Sequence, residues 1–506
     1  MYQIYPRSFA DGDGDGVGDL EGIRSRLEYL AWLGVDAVWL SPFYPSPMKD
    51  FGYDVSDYCD VDPLFGDLQT FDRLIEEAHR LGIRVLVDLV PNHTSDQHPW
   101  FIESRSSRDS PKRHWYIWRD GVPDKPPNNW KGAFLNGPAW TWDEATEQWY
   151  LHLFLPEQPD LNWAEPEVEE AMHDVVRFWL DRGADGFRID VVHALGKDPA
   201  LPDSPPELAL DPRSSVHDDP RTHPILRRLR SLADAYDQEP VLVGEVHLLD
   251  TAKIGAYYGD NDELHLAFNF PALYADWNAQ AWEHQLEHAD EVFGPVNAWP
   301  TWVLSNHDEP RHRTRYGTED RARAAAVLLL TLRGTPFMYA GEELGLEDAK
   351  VPPDRVVDPG GRDGCRAPIP WDGSPGHGWG PEPWLPWPPE PDARNMEALK
   401  ADPESILHLY RRVLRLRRAS PALREGSFRT LPSPEGTLLY RRELGNDRCL
   451  VLVNFSDQPV RLGDALSGAA VEPGWQTLVS TYSTDVSDVT DDSVMAGAGA
   501  LIVKTA

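Results

Sequence analysis

GADGFRID, residues 183–190, ends on an arginine and an aspartate two positions apart. In a strand, side chains alternate between faces, so Arg188 and Asp190 leave the same face near its C-terminal end. Burying two such groups is costly unless each satisfies the other or a ligand, so the pair is either a structural salt bridge or part of a site. Three more stretches share this build, an apolar run capped by polar residues. RVLVDLV (84–90) runs on into Pro91, Asn92 and His93 and carries Asp88. PVLVGEV (240–246) carries Glu245, and TWVLSNHD (301–308) ends on His307 and Asp308.

These runs read as buried parallel strands, covered on both faces. With YQIYP (2–6), DAVWLSP (36–42), AFNF (267–270) and TPFMYAG (335–341) they make eight strands. Helical periodicity falls between them, over 19–33, 68–81, 165–182, 221–236, 276–292 and 319–332, and again over 403–418. Eight strand and helix units over some 400 residues predict an α/β chain folded as a (β/α)8 TIM barrel. No GxGxxG follows the first strand, which argues against a dinucleotide site and any organic cofactor. In a barrel the C-terminal strand ends form the active face. Asp88, His93, Arg188, Asp190, Glu245, His307 and Asp308 all lie there, a coincidence that packing alone explains poorly.

Two segments interrupt the alternation. Residues 93–161 are aromatic, proline-rich and irregular, which predicts an inserted domain after strand three. Residues 342–395, containing GWGPEPWLPWPP with Trp379, Trp384 and Trp387, read as a lid-like insertion after strand eight. The barrel thus takes 1–92 and 162–420. Beyond it, 421–506 carries short alternating runs such as TLLYRR and CLVLVNFS, the pattern of a C-terminal antiparallel β-sandwich domain.

Near the start, DGDGDGVGD places Asp11, Asp13, Asp15 and Asp19 at positions 1, 3, 5 and 9 of a calcium-type loop, with the Val17 carbonyl at position 7. Position 12 is Gly22, which excludes an EF-hand. Four aspartates repel phosphate, so the expectation is a structural Ca2+ or Mg2+.

The chain has 48 Lys and Arg against 83 Asp and Glu, a formal charge of −35. That field repels nucleic acid and anionic lipid. No run of about 18 apolar residues exists and MYQIYPRSF lacks a signal core. Cys59, Cys365 and Cys449 fit neither a disulfide framework nor a CxxC metal pair. A soluble, cytoplasmic protein is expected, with no nucleic-acid or membrane partner and an open choice between monomer and homodimer. Its 20 Trp and 17 Tyr suit stacking on sugar rings as well as core packing.

DLVPNHTS, GFRIDVVH, GEVH and SNHD, in that order, resemble the four signature regions of the α-amylase superfamily, glycoside hydrolase family thirteen. QPDLNW (158–163), DFGYD (50–54), YAGEELG (339–345) and GRDGCRAP (361–368) resemble its oligo-1,6-glucosidase and exo-α-glucosidase branch. The resemblance implies Asp190 as nucleophile, Glu245 as general acid and base, and Asp308 as transition-state stabiliser. Arg188 would keep Asp190 ionised, and Asp308 would raise Glu245. It further implies His93 and His307 on the sugar hydroxyls, Tyr53 stacked on the ring, and an Asp50–Arg366 pair closing the pocket on a terminal glucose. Val191 after the nucleophile is associated in that branch with α-1,6 bonds, although a valine there also suits a plain strand residue. His193 stands where many relatives have asparagine. The implied activity is a retaining exo-α-glucosidase acting on short α-glucosidic oligosaccharides, α-1,6 first, with α-1,4 bonds, trehalose or sucrose also open. The alternatives are a transglucosylase or isomerase resembling trehalose synthase, and a non-catalytic binding subunit.

Overall fold

The computed structural model describes residues 1–134, 137–205, 218–296, 298–380, 382–469, 475–481, 490 and 493–505. Pro381 of the lid-like segment and parts of the C-terminal region lie outside them.

The barrel expectation is met. Its strands are β1 (Tyr2–Ile4), β2 (Ala37–Leu40), β3 (Arg84–Leu89), β4 (Gly186–Ile189), β5 (Val241–Gly244), β6 (Leu266–Ala267), β7 (Thr301–Val303) and β8 (Thr335–Tyr339). All neighbours are parallel, in the order β7-β8-β1-β2-β3-β4-β5-β6. The β6 to β7 seam is closed by a side chain: Thr301 Oγ1 donates to the Ala267 carbonyl at 2.7 Å and accepts from Asn269 N–H at 3.2 Å. Gly186 sits at φ 145°, and a Cβ there would lie 2.2 Å from the Val241 carbonyl, so β4 and β5 approach this closely only with glycine.

The strand period carries the interior from apolar to polar. Trp39, Leu86, Val243, Val303 and Phe337 form an apolar cluster from alternate barrel positions. Two residues on from three of these stand Ser41, Asp88 and Glu245, on the same face and toward the C-terminal end. Register places Asp88 beside Arg188 and Arg188 beside Val243, so the charged layer begins where the apolar one stops.

The outer helices bury the stripe their periodicity predicts. In Leu68–Arg80 the buried residues Phe71, Leu74, Ile75 and Ala78 recur at three- and four-residue spacing, and Asp67 caps the first turn by accepting from Thr70 N–H at 2.7 Å. Several elements are shorter than their sequence pattern. The chain turns helical at Pro6 directly after β1. The periodic stretch 19–33 is two helices broken at Arg26, whose guanidinium lies over the Trp371 ring at 4.5 Å. β7 stops at Val303 because Asn306 Oδ1 accepts from both Asp308 and Glu309 N–H at 2.9 Å and folds the strand end into a turn.

Between β3 and β4, Trp118–Asp120, Trp140–Asp143 and Gln148–Leu151 form a three-stranded antiparallel sheet. Its core of Ile117, Trp130, Trp140, Trp149, Leu151 and Leu153 packs on Val191 and Ala194 just after β4. The C-terminal region is a five-stranded antiparallel sheet with a separate two-stranded pair. One face of the sheet (Leu438, Tyr440, Val451, Ile502) joins the main core, and the other (Leu439, Leu450, Leu452, Leu501) packs with Met495 of the pair.

Candidate active site

Arg188 organises the floor of the site. Its Nη1 donates to Asp190 Oδ1 at 2.6 Å and Asp88 Oδ1 at 3.1 Å, and its Nη2 to Glu245 Oε2 at 2.6 Å. The Trp39 ring lies under the guanidinium at 4.8 Å, and Trp39 Nε1 and Tyr53 O–H both donate to Asp88 Oδ2. Side-chain exposure is 3% for Arg188 and 0% for Asp88. One cation thus faces three buried acids, an arrangement that holds only by retaining protons or by sharing donors.

Burial pushes the Asp88 carboxyl up to about 7, with Arg188 pulling against it. Asp190 is raised well above the carboxylate range, by burial first and then by the charges of Glu245 and Asp88, against the pull of Arg188. Glu245 goes the other way: burial would raise it, but Arg188 and a hydrogen bond with Asp190 hold it below its ordinary value. Its Oε2 also accepts from Val191 N–H at 3.2 Å. The two carboxyls are thus coupled through the one guanidinium they share, and their titrations belong to the pair. Arg188 does pull Asp190 down and Asp308 does push Glu245 up, as expected, but burial outweighs the first and the pull of Arg188 the second, so both net directions are the reverse of the expectation.

A second arginine organises the rim, and it is not the expected one. Arg362 Nη2 donates to Asp50 Oδ1 and Asp358 Oδ1, each at 2.6 Å, and Nη1 to Asp308 Oδ1 at 2.9 Å. The predicted partner of Asp50, Arg366, is instead wholly buried behind this layer. Its Nε donates to the His307 carbonyl at 2.8 Å and its Nη groups to Asp308 at 3.1 Å and Asp358 at 3.3 Å. GRDGCR contains two arginines four residues apart, and only the fold of the loop decides which reaches the cavity. Gln158, within the quoted QPDLNW but not singled out, donates to Asp50 Oδ2 at 3.0 Å. Burial raises Asp50, with Arg362 and Arg366 opposing. Burial would raise Asp308 too, but the His307 ring, Arg362 and Arg366 hold it below the carboxylate range.

His307 stacks on Tyr53 with centroids 5.4 Å apart, and its Nε2 meets the Tyr53 hydroxyl at 2.6 Å. Burial pushes His307 down to about 3, and His93 and His193 each to about 4, so all three imidazoles are neutral at pH 7. Val191 does not continue the strand. It adopts φ 34°, a left-handed conformation that is strained for a β-branched residue. That strain turns its N–H toward Glu245.

These residues enclose a cavity of about 330 Å3 lined by Asp50, Tyr53, His93, Asp190, Val191, His193, Glu245, Asp308 and Arg362. Phe134, Phe154, His247, Phe270 and Glu309 also line it. Arg366, Trp379, Trp384 and Trp387 are not among the lining residues, and neither is His307, expected on the sugar hydroxyls: it is fully buried, with Nε2 on the Tyr53 hydroxyl and Nδ1 on Gln3 Nε2 at 2.7 Å. The tryptophans pack the lid-like segment: Trp379 Nε1 donates to the Ile369 carbonyl at 2.7 Å, Trp384 Nε1 to Ser8 Oγ at 3.1 Å, and Trp387 packs against the main core.

Away from the cavity, carboxylate oxygens of Asp11, Asp13 and Asp15 lie within 4.8 Å of one another. Their described hydrogen bonds come only from backbone N–H groups, of Gly14, Asp15, Gly16, Val17 and Gly380. An all-oxygen set of three anions suits a hard divalent cation. Asp19 stands apart from this group: its carboxylate accepts from Gly22 N–H at 2.6 Å and Gly12 N–H at 2.9 Å, capping the helix Leu20–Ser25.

A family model described as alpha amylase, catalytic domain, matches residues 3–426. A probable alpha-glucosidase of Rhizobium meliloti (strain 1021) is 43% identical over 493 residues, covering 90% of this chain and 89% of that protein. An oligo-1,6-glucosidase of Parageobacillus thermoglucosidasius is 38% identical over 542 residues, covering 96% and 95%. Among solved structures, the alpha-glucosyl transfer enzyme XgtA superposes with a TM-score of 0.90 at 40% identity, over 100% of this chain and 98% of that one. The trehalulose synthase MutB of Pseudomonas mesoacidophila MX-45 gives 0.91 at 33%, over 99% and 98%. Motif order, barrel, the acids at the strand ends and these likenesses agree, and the chain belongs to the α-amylase family.

Proposed function

We propose that the protein is a retaining exo-acting α-glucosidase that removes terminal α-linked glucose from short oligosaccharides, with α-1,6 bonds preferred. The observation that carries this is the joint hold of Arg188 on Asp190 and Glu245, at 2.6 Å each. Inverting enzymes keep their acids ~6.5 to 9.5 Å apart to admit a water, whereas retaining ones use ~5 to 5.5 Å. Two carboxyls bridged by one guanidinium belong with the second class. The names of the relatives, alpha-glucosidase and oligo-1,6-glucosidase, support the same reading.

In the first step the Asp190 carboxylate attacks the anomeric carbon, the glycosidic C–O bond breaks, and Glu245 gives its proton to the leaving oxygen. This needs Glu245 protonated and Asp190 ionised, so a sugar entering between the two acids must leave Arg188 to Asp190. Water then attacks the glucosyl ester, giving its proton to Glu245, and Asp190 leaves. Asp308, kept ionised by Arg362 and Arg366, faces the positive charge that develops at the anomeric centre. Tyr53 and His93 provide a stacking face and a neutral hydrogen-bonding group for the glucose, His307 holds the Tyr53 ring from behind, and the Asp50–Arg362 pair ends the pocket and enforces single-unit removal. Val191 narrows the approach to the bond being cut.

A second reading, transfer of glucose to another sugar, is favoured by the likeness to XgtA and MutB, since the first step is shared. Incubation with isomaltose, maltose, trehalose and sucrose, followed by NMR, tests both. The proposal expects α-glucose as first product and isomaltose as the best substrate. First-formed β-glucose would overturn the retaining mechanism, and disaccharide isomers as the main product would favour transfer.

We also propose that Asp11, Asp13 and Asp15, with the Val17 carbonyl, hold a structural Ca2+ or Mg2+ that takes no part in the reaction. Asp11 ties this loop to the lid-like segment through Gly380 N–H at 2.8 Å. Chelator should therefore lower Tm, and Asp13→Asn should remove that response. Among the described residues no helix is long and apolar enough to cross a membrane. The three cysteines are free, and a reducing cytoplasmic setting is proposed on that basis.

A further inference from the structure

The outer half of the cavity carries a hydrogen-bonded chain that the hydrolytic steps do not use. His247, two residues after Glu245, places its ring against Phe270 with centroids 4.5 Å apart. Its Nε2 meets the Tyr274 hydroxyl at 3.0 Å, and that hydroxyl donates to Glu309 Oε1 at 2.7 Å. The three residues follow β5, β6 and β7, so the chain joins three strand-end loops on one side of the mouth.

Its polarity follows from the acceptor at its end. With the Tyr274 proton given to the Glu309 carboxylate, the phenol oxygen is left to accept, and His247 Nε2 must carry the N–H. The chain thereby fixes both the tilt and the tautomer of the ring. The ring atom that no described hydrogen bond uses is Nδ1, a lone-pair acceptor in the neutral imidazole.

His247, Phe270 and Glu309 line the cavity together with Asp190 and Glu245, and His247 and Glu309 are partly exposed where Asp50 is buried, which puts them toward its mouth. A glucose bound against Asp50 puts its leaving partner at this mouth. We propose that His247 is the specificity-determining residue for that partner, offering Nδ1 to a hydroxyl of the leaving or accepting sugar while Phe270 offers an apolar face. Tyr274 and Glu309 act as positioning residues through the imidazole. Held so, an accepting sugar hydroxyl gives its proton to Glu245, its oxygen bonds to the anomeric carbon, and the ester bond to Asp190 breaks. The same group then governs how often sugar displaces water. The inference rests on the proposed glucosyl transfer to Asp190.

The test compares isomaltose with α-glucosyl fluoride, whose leaving group is too small to touch His247. Wild type should turn over both, and failure on the fluoride would overturn the proposed function itself. His247→Ala should raise KM for isomaltose and lower the transfer product at high isomaltose by about five- to ten-fold, the loss of one hydrogen bond and a packing face. Release of fluoride should stay within about two-fold. Tyr274→Phe should give a smaller change of the same kind, and His247→Gln, which keeps an acceptor, should recover part of it. Isomaltose KM and transfer yield unchanged in His247→Ala, or a fall on the fluoride as large as on isomaltose, would overturn the inference.

Discussion

Two arginines in this molecule each hold three acids, and they differ in what carries them. Arg188 stands on a barrel strand and gathers Asp88, Asp190 and Glu245; Arg362 stands on the long loop after β8 and gathers Asp50, Asp308 and Asp358. The first hub is fixed by register, since β3, β4 and β5 are hydrogen-bonded neighbours. The second spans residues more than 300 positions apart and exists only when the loop is folded down. A strand-borne cluster is set by local geometry, whereas a loop-borne one is set by everything that packs the loop.

The sharpest way to break the comparison is to remove each arginine. Arg188→Leu should cut kcat/KM by about 10³-fold or more and lower stability by about 3 to 5 kcal/mol, because three buried acids lose the cation they share. Glucosidase kinetics and a urea titration check both. Arg362→Ala should cost about 10²-fold, mainly through KM for terminal glucosides, with a smaller loss of stability than Arg188→Leu because Arg366 still holds Asp308 and Asp358. Arg366→Gln sharpens the contrast, since a buried arginine behind the rim should cost stability while leaving the preference for single glucose units. If Arg366→Gln abolished that preference and Arg362→Ala did not, the assignment of the rim would be reversed.

Smaller effects come from Val191 and the histidines. Val191→Ala should change the ratio of isomaltose to maltose turnover by about ten-fold, the size of one apolar contact in a pocket. His93, His152, His193 and His265 are pushed down to about 4, and His98 and His307 to about 3, each first by burial. A histidine whose folded pKa is lowered binds its proton more readily when unfolded, so stability falls as pH drops from about 6.5 toward 4. Urea midpoints measured across that window should decline steeply, and His193→Asn should flatten the slope by about one proton.

What could be read from the residues follows the same division. The barrel and the floor were legible because period-two alternation and register are local, and Asp88, Arg188, Asp190 and Glu245 inherit their positions from strands that the apolar runs announce. The rim was half legible. GRDGCR signalled an arginine for Asp50, but choosing Arg362 over Arg366 depends on which way a non-periodic loop turns. Val191 was open to reading as a strand residue, and its left-handed conformation follows from the packing of the inserted sheet against it. The break at Arg26 and the capping role of Asp19 were hidden for a related reason. Both depend on groups distant in sequence or on competing uses of one carboxylate.

The central claim is that Asp190 takes up the sugar while Glu245 handles the proton. Glu245→Gln should still form the ester with α-glucosyl fluoride, which needs little acid help, but should release it slowly for want of a base. Peptide mapping by mass spectrometry after brief exposure should then find one anhydroglucose on the peptide containing Asp190. A glucosyl group elsewhere, or fluoride released with no adduct and β-glucose as product, would contradict the account.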